Sequence, residues 1–129
     1  MTVQAKILTL WIVVMFNMAF ADIVGFVYPG TLEQLATGET TEGIVITPMF
    51  LLIAAVLIEI GIAMIFLSRV LPRKANRIAN FVAVILTILF IVDGGSLQPH
   101  YVFFAGCEIL AMLYIATLAW RWRDEEVLL

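Results

Sequence analysis

Residues 51–69 read LLIAAVLIEIGIAMIFLSR. A helix that packs on a soluble core keeps a polar face, with apolar residues recurring every third or fourth position. This stretch has no such face. One charge, Glu59, stands inside the run, and Arg69 ends it. About 20 apolar residues cross the roughly 30 Å of hydrocarbon in a bilayer. The stretch therefore reads as the heart of a transmembrane helix, and the fold question becomes how many such helices the chain holds.

Three further runs have the same character. The expected spans are roughly 7–28, 47–67, 78–92 and 101–120, the third starting as early as Asn76. The chain of 129 residues is 64% hydrophobic and 13% charged, with mean hydropathy +1.10. Soluble domains are about 45–50% apolar and about 25% charged, and a chain this small cannot hide such an excess from water. The expected fold class is all-α, a single four-span integral membrane helix bundle over 1–129. No separate soluble module is left over.

The net charge of −3 hides a sorting by side. Lys6 precedes the first run. Arg69, Arg73, Lys74 and Arg77 lie between the second and third, and Arg121 and Arg123 follow the fourth. The loops at 29–46 and 93–100 carry no Lys or Arg. The positive-inside rule then predicts a multi-pass protein with both termini cytoplasmic. Trp11, Trp120 and Trp122 read as belt residues of the inner interface, Tyr28 and Tyr101 as those of the outer one. Lys6, an apolar run and Ala19-Phe20-Ala21 also resemble a cleavable signal. The apolar sequence continues through Tyr28, so a retained span is expected.

Punctuation supports the hairpins. Thr31 followed by Gln34 predicts a capping box, Gly38 a stop, and the two together a short outer helix over Thr31–Thr37. Thr47-Pro48 and Gln98-Pro99 each set Pro at a first helical position, and Gly94-Gly95 makes a turn. Both hairpins place a Glu in their second helix, a pattern compatible with an internal duplication.

Three acids lie inside spans. Asp22 and Glu108 are about 9 and 12 Å below the outer end and Glu59 about 18 Å, near mid-membrane. Small residues beside each acid point to helix contacts rather than lipid, so all three are expected to face one polar pocket near Asp93 and His100. No Lys or Arg lies within any span to pair with them. An unpaired carboxyl in a medium of low dielectric is neutralised by a proton. Asn17, Thr87 and Tyr114 are candidate hydrogen-bond partners. The candidate binding residues are thus Asp22, Glu59, Glu108, Asn17 and His100, under either a structural reading or a ligand or proton site.

No catalytic motif, phosphate loop or nucleic-acid motif is present. His100, the one histidine, lacks the companions a metal site requires. Cys107, the one cysteine, excludes an intrachain disulfide and reads as a small packing residue. No metal and no cofactor are expected. The Arg73-Lys74 cluster reads as a topology determinant that also meets anionic headgroups.

Trp11–Asn17 (WIVVMFN), Ala21-Asp22-Ile23, Glu59-Ile60, Ala63–Leu71 (AMIFLSRVL) and Ala75–Asn80 (ANRIAN) resemble a family of small prokaryotic membrane proteins of unknown function, over nearly the whole chain. More distantly, four spans with an acid in the second resemble the DoxX-like proteins. The resemblance implies a prokaryotic plasma-membrane protein and supplies neither substrate nor catalytic residue. The expectation is a non-enzymatic accessory or structural protein with an acidic internal pocket. The alternatives are a small oligomeric proton-coupled transporter of a cation or small molecule, and a quinone- or lipid-binding subunit. Expected partners are membrane lipids, a small molecule of open identity and, in the transporter reading, further copies of the chain in a homo-oligomer. Nucleic acid is not among them.

Overall fold

The computed structural model describes residues 1–40 and 43–123. Residues 124–129 of the expected domain lie outside the described residues. Five helices follow one another: α1 Val3–Val27, α2 Thr31–Leu35, α3 Pro48–Val70, α4 Arg73–Asp93 and α5 Pro99–Trp120. All but α2 are long and apolar enough to cross a membrane. α1 packs on α3 and α5, and α4 packs on the same two helices. The four therefore form a ring in which every neighbour is antiparallel, the up-and-down bundle arrangement. One end, the basic end, carries Lys6 and all six arginine and lysine side chains of the later segments. The other, the loop end, carries α2 and the turn at 94–98.

The helix boundaries follow local chemistry. Thr2 Oγ1 accepts a hydrogen bond from the Ala5 amide at 3.1 Å, so α1 begins four residues before the expected start. Thr47 Oγ1 accepts from Phe50 at 3.0 Å and Pro48 opens α3, as its sequence predicts. α4 begins at Arg73, well before residue 78, with Pro72 as its N-cap. Arg73 and Lys74 in its first turn, with Arg77 just after, oppose the helix dipole. Their compensation comes from another helix. Arg77 Nε donates to the Ala119 carbonyl at 2.7 Å, and Arg73 Nη2 to the Trp122 carbonyl at 2.7 Å. The Ala119 carbonyl belongs to the C-terminal end of α5 and that of Trp122 lies just past it, where orphan acceptors collect and cations are favoured. Arg73 and Arg77 thus fasten α4 to α5.

α2 exists but is shorter than expected, and its cap differs. Gly30, at φ 88°, is the N-cap, and no side chain caps the helix. Thr31 Oγ1 makes no hydrogen bond, so the expected capping box is absent. Ala36, not the expected Gly38, is the C-cap; Gly38, at φ 90°, lies in the turn that follows. Beyond it, Ile46 donates to Gly38 and Thr40 to Ile44, drawing the loop back over the bundle. Gly95 meets a packing demand: a Cβ there would stand 2.8 Å from the Ile91 carbonyl and 3.2 Å from the Tyr101 ring.

Packing is uneven along the bundle. Lipid is as apolar as leucine, so close fit and hydrogen bonds hold such helices together. Both concentrate at the basic end. Trp11 is fully buried, and its Nε1 donates across the bundle to Asn80 Oδ1 at 2.7 Å. Asn80 Nδ2 donates to Asn76 Oδ1 at 2.6 Å and to the Asn76 carbonyl at 2.9 Å. Asn76 Nδ2 donates to the Ser68 carbonyl at 2.8 Å. α1, α3 and α4 are joined by this one network. Trp11 and Trp122 are both buried, so neither is a belt residue; Trp120, 72% exposed, keeps that position. Buried positions on α3 are Gly61, Met64 and Ser68 only. Its first thirteen residues, Pro48 to Ile60, bury nothing.

Candidate functional site

Where α3 stops packing, a cavity of about 310 Å³ opens among all four long helices. α1 contributes Met15, Met18, Ala19, Ala21 and Asp22 to its walls. Ile58 and Ile62 come from α3, Phe90 from α4, and Tyr101 and Glu108 from α5. Gly61 explains its floor. Met15 and Trp11 of α1 pack directly on the bare backbone of α3 there, so that an added Cβ would stand 2.6 Å from Met15 Sδ and 3.6 Å from the Trp11 ring. Basic-ward of this pinch the bundle interior is filled by buried side chains, a space of about 630 Å³ around Arg73, Trp120 and Arg121 lying at the helix ends; loop-ward of it the helices leave space between them.

Glu108 is the buried polar group of this cavity. It is 3% exposed, lines the wall, and accepts no hydrogen bond from any described residue. Asp22, itself exposed, lines the same wall. Tyr101 adds an aromatic face, while its hydroxyl is held by the Ile91 carbonyl at 3.0 Å. Among the lining side chains, the carboxyls are thus the polar groups left for a ligand. The remaining wall is aliphatic, thioether and aromatic.

A second space of about 160 Å³ lies at the loop end and shares Ala21, Asp22 and Tyr101 with the first. Thr31, Thr40, Ser96, Gln98 and His100 give it a polar lining. His100 rests on Tyr28, ring centroids 5.6 Å apart, and on the bare backbone of Gly25. Its Nε2 is buried without a hydrogen-bond partner. Asp22 stands where this vestibule and the main cavity meet.

The five residues singled out in the sequence divide. Asp22, Glu108 and His100 line the two connected spaces. Glu59 does not: it lies on the exposed side of α3. The reason is angular. Two residues of helix turn the chain by about 200°, so Glu59 points away from the Gly61–Met64–Ser68 stripe that faces the bundle. The expected convergence of three acids is therefore corrected to a pair. Asn17 is also outside the site, its Nδ2 donating to the Val13 carbonyl of its own helix at 2.8 Å. Tyr114 is 53% exposed and joins no shared network with the acids, whereas Thr87 is buried with an unpaired hydroxyl. Sequence reading missed the Trp11–Asn80–Asn76 network. Its signal was present in Asn76 and Asn80, spaced by four on one face of an apolar helix. No group of His, Cys, Asp and Glu suited to a metal ion occurs among the described residues.

Residues 2–128 match a family of unknown function, DUF6326, and the chain belongs to that family. No curated protein and no solved structure matches it.

Proposed function

We propose that this protein is a non-enzymatic integral membrane protein that binds a small amphiphilic molecule in the cavity between its four spans. The observation that carries this is Glu108, buried at 3% exposure, without a hydrogen-bond partner among the described residues, and facing about 310 Å³ of space. Unpaired ionisable groups inside spans are costly and mark functional sites. Small-molecule pockets are mostly apolar, with a few convergent polar groups, and start at about 300 Å³. The cavity meets both descriptions. With the Lys and Arg of the basic end in the cytoplasm, its vestibule opens to the outer side of a prokaryotic plasma membrane, and lipid covers the outward faces. The DoxX-like pattern contributes nothing to this reading, because its acid, Glu59, lies outside the cavity.

A second reading is proton-coupled transport, favoured by one feature. The vestibule reaches the cavity at Asp22, while the pinch at Gly61 closes the opposite side, as in one half of an alternating-access cycle. The test of the first reading is native mass spectrometry of protein extracted in mild detergent, compared with Ala19→Phe, which fills the cavity from its wall. A small-molecule adduct on the natural protein, lost in the variant, is expected. Equal adducts on both, or none on either, contradict cavity binding.

A further inference from the structure

We infer that the ligand of this cavity is a monovalent organic cation with an apolar body, its charged end seated between Asp22 and Glu108. The inference rests on the cavity reading above and adds the chemical class. Charge comes first. Two carboxyls face one space, and no Lys or Arg lies among the residues lining either the cavity or its vestibule. The nearest cation on the Asp22 helix is Lys6, about 24 Å away along its axis. Among the described residues lining the two spaces, His100 in the vestibule is the one side chain able to carry positive charge; the cavity itself holds none, and a bound cation would supply it.

Hydrogen-bonding capacity agrees. A cation seated between the carboxyls would hold them ionised, and ionised carboxyls only accept; the Tyr101 proton is already committed to the Ile91 carbonyl. The walls thus offer acceptors and little else, which suits an ammonium head and ill suits a carbonyl ligand. Phe90 and Tyr101 add ring faces, which attract cations once water is excluded. Met15, Met18, Ile58 and Ile62 receive an apolar body. A bare metal ion is a poorer match, because hard cations take six or more oxygens and no suitable ligand group exists among the described residues. Volume sets the scale: about 310 Å³ is at the small end of ligand pockets, so the cation is a small one. Asp22, shared by cavity and vestibule, gives it an acidic first contact on the way in.

The test uses two probes of nearly identical shape, benzyltrimethylammonium and its neutral carbon isostere neopentylbenzene. Binding of each to the full-length protein in lipid nanodiscs is measured, with empty nanodiscs correcting for partition into lipid. The cation should bind at least about tenfold more tightly than the isostere. Glu108→Gln and Asp22→Asn should each weaken the cation by about tenfold and leave the isostere unchanged. Both variants must run as monodisperse, helical protein. If the two probes bind equally, or if cation binding ignores both substitutions, the cation class is wrong while the cavity reading stands. If neither probe binds the natural protein, and Ala19→Phe also removes no co-purifying molecule, both fail.

Discussion

Ser68, Asn76 and Asn80 at the basic end and Thr31, Thr87 and His100 toward the loop end are polar residues with opposite fates. The first three are fully buried and bonded to one another's side chains or carbonyls. The second three keep buried atoms without partners. Trp122 Nε1 is the basic end's one such atom among the described residues. The difference teaches where this bundle keeps its stability and where it keeps its site. In lipid, polar bonds and close packing bind helices, and both lie on the basic side of Gly61. Loop-ward, the same chain leaves space and unpaired groups, the condition of a binding site rather than a core. Glu59 and Glu108 repeat the lesson on a smaller scale. Each is a lone Glu in the second helix of a hairpin, yet one lies on the outer surface and the other is enclosed.

Breaking the basic end should have the largest effect. Asn80→Leu strands the Trp11 indole N–H and removes the donor to Asn76 Oδ1. Each buried group left unpaired costs about 1–3 kcal/mol. Denaturant titration in mixed micelles should show this variant as the least stable, with its helices separating together. Gly61→Val comes next, at about 1–3 kcal/mol for overpacking. Gly61→Ala is milder, because Met15 is flexible and swings into the cavity. Ligand binding should then fall more than stability does, an outcome that joins the two halves through one residue. Arg77→Met removes a cation from the carbonyl end of α5 and should cost about 1 kcal/mol, read as fraying of that end in hydrogen exchange.

The loop end should respond oppositely. Glu108→Gln keeps shape and changes stability by less than about 1 kcal/mol, while cation binding weakens by about tenfold. Glu59→Gln should move neither quantity, with stability within about 0.5 kcal/mol of the natural protein. A large loss of ligand binding in Glu59→Gln would place that acid back in the site and erase the contrast.

Much of this architecture was legible in the sequence. Four long apolar runs gave the helix number, and Thr47-Pro48 the start of α3. What stayed hidden depended on rotation about a helix axis. On α3 nearly every position is apolar, so the pattern contains no polar face from which to fix the inward direction. Ala55 and Ala63 marked one side and Gly61 another, and the close approach at Gly61 prevailed. The start of α4 was hidden because its cations are compensated by carbonyls over 40 residues away in sequence. The belt assignment of Trp11 failed for a similar reason, since its partner Asn80 is 69 residues distant.

The contrast between a sealed basic end and an open loop end is tested most directly by cysteine accessibility. Single cysteines replace Glu108, Ala21, Ala83 or Ser68 in a Cys107→Ala background, and a membrane-impermeant trimethylammonium thiol reagent is added from the loop side. Cysteines at 108 and 21 should react, and benzyltrimethylammonium should protect the one at 21, where Glu108 is still present. Cysteines at 83 and 68 should remain unmodified. Labelling at 68 and 83 as fast as at 108, or no labelling at 108 and 21, would contradict the account.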